Sequence, residues 1–179
     1  MKLILIDGGP ASGKNTLGQI LANNFNKLSE KTILIDLDSY VEKYCPTWIW
    51  NDEQQKEADL LKARTDFTNE INKFLRDNFI VIAIGDRFLT HHDVLKYTDK
   101  LMDKVPIYLY HLSVPFALRK QRLRSRGPHS LINLEKDQKD RDGIKNWPGY
   151  VYENVNSPEE DANNMLLLIQ QDKGLFQNG

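Results

Sequence analysis

The chain has 179 residues, with 24 Lys and Arg against 25 Asp and Glu and a formal net charge of −1. That length fits one domain, residues 1–179, able to bury a substantial core, and the balanced charge argues against a general binder of nucleic-acid polymers, which carries a basic excess. A single cysteine, Cys45, rules out an internal disulfide and points to a reducing compartment, and no apolar run approaches the roughly 18 residues of a membrane span, so a cytoplasmic protein without a membrane partner is expected.

Leu3-Ile4-Leu5-Ile6-Asp7 is a short apolar run suited to a buried parallel strand. Directly after it, Gly8-Gly9-Pro10-Ala11-Ser12-Gly13-Lys14-Asn15-Thr16 reads G-x-x-x-x-G-K, and from Lys14 onward Leu17, Ile20, Leu21 and Phe25 recur at helical spacing. The motif therefore sits at a strand-to-helix turn. Further strands are expected over 32–36, 79–84, 107–110 and 150–153, with helical patterns between them, which predicts an α/β fold with a five-stranded parallel sheet and helices on both faces. Asp52 and Gln55 open a long helix ending near Leu75, whose inward stripe reads Leu60, Phe67, Ile71 and Phe74 with Arg64 in the gap. Ser157-Pro158-Glu159-Glu160 opens the last helix, with Ser157 as its cap. In open α/β sheets ligands collect beyond the carboxyl ends of the strands, and the polar residues of interest fall there.

The glycines of the first turn let backbone N–H groups wrap a polyphosphate, and the following helix adds its unpaired N–H groups and the positive end of its dipole. Gly9, Ala11, Ser12, Gly13, Lys14, Asn15 and Thr16 are accordingly the expected nucleotide-binding residues. Lys14 reads as a surface charge that turns to the terminal phosphates when they arrive. The residue after the lysine normally offers a hydroxyl to Mg²⁺; here it is Asn15, an amide and a weaker ligand, with Thr16 one position further on.

Asp36 and Asp38, two residues apart after the second strand, have the chemistry for phosphoryl transfer to a hydroxyl: one takes or orients the hydroxyl proton and one holds Mg²⁺ through water. The competing role for Asp38 is a cap on the next helix. Tyr40, Tyr44, Trp48 and Trp50 follow, rings that either stack on a substrate or pack in the core. Ile84-Gly85-Asp86-Arg87-Phe88 ends the third strand. Asp86 is a candidate to hold water on Mg²⁺, Arg87 to bind a phosphate by a charge-assisted fork, and Arg64 needs an anionic partner, from substrate or from the protein. After the fourth strand, Arg119, Arg122 and Arg126 lie near one helical face, by default a solvated one, with Gly127-Pro128 ending the helix. The histidines show no zinc-ligand spacing with Cys45.

The phosphate loop is the Walker A motif, and with the segments above the chain resembles the P-loop kinases of the nucleoside and nucleotide kinase group. Adenylate kinases carry the similar loop G-G-P-G-S-G-K-G-T, in which a non-hydroxyl residue also follows the lysine. The acidic segment at Asp36 and Asp38 is similar to that of uridine-kinase-like enzymes, and Asp86-Arg87-Phe88 resembles the D-R-[YF] segment of thymidylate kinases. The resemblance implies the P-loop NTPase fold with a mobile lid over about 127–149, a segment that contains Arg141, and it implies that Arg122 and Arg126, with Arg119 and Arg124 more weakly, cover the base or clamp the phosphates. It further implies ATP and Mg²⁺ as cofactors, with Asn15, Asp36 and Asp86 toward the metal. Lys14, Asp38, Asp86, Arg87, Arg122 and Arg126 would serve catalysis, and Asp36, Asp38, Tyr40, Arg64 and Arg87 the acceptor. The leading expectation is a kinase that phosphorylates a hydroxyl of a small molecule, a nucleoside or similar compound. The alternatives are a nucleoside monophosphate kinase and a nucleotide-binding regulatory protein with little turnover.

Overall fold

The computed structural model describes residues 1–101, 105–125, 127 and 132–176. In chain order its elements are β1 (Lys2–Asp7), α1 (Lys14–Lys27), β2 (Thr32–Asp36), α2 (Leu37–Tyr44), α3 (Glu53–Arg76), β3 (Ile80–Gly85), α4 (His91–Thr98), β4 (Ile107–Ser113), α5 (Phe116–Arg124), α6 (Leu134–Asp142), β5 (Tyr150–Glu153) and α7 (Pro158–Gln170). The strands form one parallel sheet in the order β2-β3-β1-β4-β5. Because β1 lies at the centre and its neighbours come from later in the chain, the turn after β1 opens at the switch point of the sheet, where a ligand crevice forms.

Both faces of the sheet are covered, as continuous apolar strands require. Ile4 and Ile6 of β1 meet Leu17, Leu21 and Phe25 of α1 and Met165 and Ile169 of α7, whereas Leu3 and Leu5 meet Phe67, Ile71 and Leu75 of α3 and Val94 and Tyr97 of α4. The period of two along β1 thus feeds two separate cores. The α3 stripe is rotated from the expected one: Ala63, Phe67, Ile71 and Leu75 are buried at a spacing of four, and Leu60 and Phe74 sit half-buried at its edge. Small Ala63 does not stand out as apolar in the sequence, so the spacing alone puts the stripe one edge over.

The caps agree with the sequence. Asp52 accepts from Gln55 N at 2.7 Å and Ser157 Oγ from Glu160 N at 3.3 Å. β4 runs on to Ser113 because its last residues pair with β5, while residues 174–176 return along its other half, with Leu109 N donating to Gly174 O and Phe176 N to Ile107 O. Gly174 has φ 89, and a Cβ there would press on the Tyr110 ring. Among the described residues no helix is long and apolar enough to cross a membrane.

Candidate active site

The turn between β1 and α1 is shaped by its carbonyls. Gly8 O accepts from Lys14 Nζ at 2.7 Å, Gly9 O from Ser12 N at 3.2 Å, Pro10 O from Arg119 Nε at 3.0 Å, and Ser12 O from Asn154 Nδ2 at 2.7 Å. These contacts tie the loop's carbonyls to its own lysine and to Arg119 and Asn154. Gly13 takes φ 94, which a glycine adopts without strain, and Ala11 takes φ 60, which an L side chain rarely does. Ser12 is 1% exposed and its Oγ has no hydrogen-bond partner. A buried hydroxyl left unpaired in a glycine-rich loop at the N-terminus of α1 fits a phosphate anion. Lys14 is not the surface charge the sequence suggested. It is 9% exposed, folded back on Gly8 O, because an ammonium without an anion finds the nearest carbonyl.

Asp36 is the N-cap of α2: its Oδ1 accepts from Asp38 N at 3.0 Å and its Oδ2 from Asn15 Nδ2 at 2.8 Å. The capping role considered for Asp38 therefore belongs to Asp36, which leaves the Asp38 carboxyl free of that duty. Burial pushes Asp38 up from its ordinary value to about 6, with the charges of Asp86 and Asp36 adding to the rise and Lys14 and Arg87 opposing it. Asp36, Asp86, the loop lysine and Arg87 are thus all close enough to Asp38 to act on it. Asp86 and Arg87 form a long ion pair at 3.9 Å, and the buried Arg87 Nε has no hydrogen bond. Arg64 and Arg87 both act on the hydroxyl of Tyr97, whose pKa burial raises to about 12, and among the described residues no carboxylate is in ion-pair range of Arg64. Tyr40 is half-buried and packs edge-on to Phe67, with ring centroids 5.3 Å apart, at the rim of a groove it shares with Asp36 and Ser39. Trp48 and Trp50 pack on each other, and Tyr44 donates to Asp66 Oδ2 at 2.7 Å.

Among the described residues no three His, Cys, Asp or Glu side chains form a ready-made metal cage. The Asn15 amide donates to Asp36 as arranged, so an Asn15 oxygen toward a cation and an Asp36 carboxylate toward the same cation require that bond to open.

The arginine face of α5 departs from a solvated stripe. Arg119, given only a weak role from the sequence, is 3% exposed, while Arg124 is exposed. Arg119 reaches Pro10 O, Gln138 Oε1 at 3.1 Å and Asp137. Arg122 lies beside the loop, with Nη1 donating to Ser12 O at 3.3 Å, and lines a cavity of about 220 Å³ with Gly13, Thr16, Asn154 and Asn156. Arg126 and residues 128–131 lie outside the described residues.

Three residues without a role in the sequence reading also meet at the crevice. Asp7, fully buried at the end of β1, accepts from Arg141 Nη1 at 2.8 Å, from His111 Nδ1 at 3.2 Å and from Phe88 N at 3.2 Å. Burial would raise its pKa, but His111 and Arg141 outweigh it and hold the carboxyl below the ordinary value. The expected lid segment contains α6, capped by Asn133 and carried over the loop by Arg141 and Arg119. A charged residue closing an apolar strand is the one sequence signal for Asp7.

Comparison with known proteins places this geometry. The KTI12 family, described as chromatin associated protein KTI12, matches residues 1–86, which span β1 to β3 and the phosphate loop. No curated protein matches the chain in sequence. The structure is similar to a sugar kinase from Janibacter, with TM-score 0.70 and 14% identity over 95% of each chain. It is also similar to shikimate kinase from Acinetobacter baumannii in complex with shikimate, with TM-score 0.62 and 23% identity over 97% of this chain and 95% of that one. A third similar structure is the Mycobacterium tuberculosis APS kinase in complex with AMPPNP and APS, with TM-score 0.64 and 13% identity over 94% of this chain and 97% of that one. At these identities the likeness defines the fold, which is that of the P-loop kinases.

Proposed function

We propose that the chain is an ATP- and Mg²⁺-dependent kinase that transfers the γ-phosphoryl group to a hydroxyl of a small molecule, a nucleoside or similar compound. The observation that carries this reading is Asp38, a half-buried carboxyl raised to about 6 beside the loop lysine and two further carboxylates. A base with a proton affinity near neutrality suits removal of a hydroxyl proton, since it is ionised at pH 7 yet still holds a proton well.

When bound, ATP with Mg²⁺ supplies the transferable phosphoryl group and part of the charge neutralisation. The loop N–H groups and Ser12 Oγ hold phosphate oxygens, and Lys14 exchanges Gly8 O for them. In this reading Asp86 and Asp36 would hold Mg²⁺ through water, with Asn15 joining once its bond to Asp36 opens. Mg²⁺ keeps several waters and uses one or two carboxylates with substrate phosphates, which Asp36 and Asp86 would supply. The cavity between Arg122 and Asn154 has room for a base edge beside the loop. In this reading Asp38, Tyr40 and Arg87 would serve the acceptor, with Asp38 taking the hydroxyl proton. Catalysis is then positioning plus charge stabilisation.

A second reading, a nucleoside monophosphate kinase, is favoured by Arg64 and Arg87 around Tyr97, two guanidinium groups suited to an acceptor phosphate. A third, a nucleotide-binding regulatory protein with little turnover, is favoured by the KTI12 match over residues 1–86. One experiment separates them: ATP titration with and without Mg²⁺, then ADP production with nucleosides, other small alcohols and nucleoside monophosphates in parallel. Turnover with a hydroxyl acceptor supports the first reading, turnover with monophosphates alone supports the second, and ATP binding without turnover on any acceptor supports the third.

A further inference from the structure

Helix α6 has a single buried residue, Leu134, so its seat over the phosphate loop is electrostatic rather than apolar. The seat centres on Asp137. Its Oδ2 pairs with Arg119 Nη2, and its Oδ1 accepts from Arg141 Nε at 3.1 Å. Each arginine is anchored a second time, Arg119 on Pro10 O and Arg141 on the fully buried Asp7. These groups converge over one point of the loop. A Cβ added at Gly9 would lie 2.6 Å from Arg119 Nη2 and 2.9 Å from Arg141 Nε, and would collide with Asp137 Oδ2.

Two guanidinium groups fixed from behind and aimed at the backbone of the second loop glycine form an anion site, and the anion in it is a carboxylate of the chain itself. Carboxylate and phosphate oxygens make the same charge-assisted contacts with guanidinium N–H groups. A phosphate held by the loop brings more charge than Asp137 does and competes for the same donors. We propose that Asp137 is a resident stand-in for nucleotide phosphate: it holds Arg119 and Arg141 over Gly9 in the free protein, and the terminal phosphates of a nucleotide displace it and take both arginines. The inference rests on the nucleotide-binding reading above and adds to it the residue that sets affinity. Removing Asp137 then strengthens phosphate binding, because the ligand no longer has to break two ion pairs. A residue that merely oriented the arginines would do the reverse.

The test measures binding of inorganic tripolyphosphate, ATP and adenosine to the wild-type chain and to Asp137→Asn by titration calorimetry. Tripolyphosphate and ATP are expected to bind the variant about tenfold more tightly, with adenosine unchanged. Equal or weaker binding of ATP by a folded variant overturns the inference while leaving the nucleotide reading in place. Absence of ATP and tripolyphosphate binding to both proteins overturns the nucleotide reading and this inference with it. A measurement on the unaltered chain covers a variant that fails to fold. In carbodiimide-driven amine labelling read by mass spectrometry, Asp137 is expected to be protected in the free protein and labelled once tripolyphosphate saturates the loop. Labelling that tripolyphosphate does not change overturns the proposal.

Discussion

Asp38→Asn tests the site through stability and turnover together. In the folded chain the carboxyl titrates at about 6, against an ordinary value of 3.8. The folded state therefore holds this proton more tightly than the unfolded state does, and between pH 3.8 and about 6 stability falls as pH rises. Below this window the effect is absent; above it, the full penalty of a buried, repelled carboxylate is present. At about 1.4 kcal/mol per unit the shift has a ceiling near 3 kcal/mol, and solvent screening of a half-exposed group brings it to about 1–2 kcal/mol. An asparagine keeps the size and does not titrate. The variant should melt about 2–8 °C higher than wild type at pH 7–8, and the two should converge below about pH 4. Over the same range wild-type kcat/KM should fall as pH drops through about 6, while the variant loses kcat about 10²-fold or more and retains ATP affinity. Melting curves from pH 4 to 8, paired with initial rates on a hydroxyl acceptor, give both readouts. Parallel pH–stability curves would refute the electrostatic argument, and full turnover by the variant would pass the base role to Asp36 or Asp86.

Lys14→Met should lower kcat about 10²-fold or more, since it removes a preorganised cation from the developing charge; unchanged turnover in the folded variant contradicts the assignment. Asp7→Asn should cost about 3 kcal/mol or more by leaving Arg141 and His111 without their buried carboxylate, read as a lower urea midpoint. Because the Asp7 pKa is depressed in the folded state, its stabilisation is present above the unfolded value of 3.8 and is lost as pH falls through the lower folded value, so wild type and variant should converge only in strong acid. Arg122→Ala should weaken ATP binding about tenfold with little change in melting temperature, since Arg122 makes only long bonds to Ser12 O and Asn154 O, at 3.3 and 3.5 Å; a large loss of stability with unchanged ATP affinity would assign it to the fold instead. Ala11→Gly should stabilise the chain by up to about 1 kcal/mol by relieving φ 60 at residue 11, and a lower melting temperature would show that the loop tolerates the left-handed alanine without strain.

What the sequence made legible is what local pattern encodes. β2 and β5 fall on the expected residues, β1 begins one residue earlier, β3 shifts by one, and the caps at Asp52 and Ser157 are carried by side chains three residues from the N–H groups that donate to them. The loop was equally readable, because its glycines, lysine and flanking strand and helix are contiguous. The remaining parts of the candidate site depend on distant partners. Asp7 meets His111 and Arg141 across separations of 104 and 134 residues, and nothing in an apolar run announces which terminal carboxylate will be buried. In α5 the pattern could not tell the inward arginine from the outward ones, since the apolar residues Phe116, Ala117, Leu118 and Leu123 form no buried stripe and Arg119 is the residue that is buried. Arg119 is selected by Pro10 O and Asp137, which lie on other elements. For α6, composition suggested a charged covering segment, and the helix itself was not predicted.

Trp147 stands half-buried against His111, with ring centroids 4.4 Å apart, next to the Pro148 carbonyl that contacts the same imidazole. The other two tryptophans, Trp48 and Trp50, lie edge-on to each other after α2. Replacing that pair with phenylalanine leaves one indole, placed where the segment after α6 rejoins β4. The chain then carries its own fluorophore at the seam between the segment after α6 and the sheet, quenched or relieved by the neighbouring imidazole, and any rearrangement of that seam can be timed in a stopped-flow cell without attaching a dye.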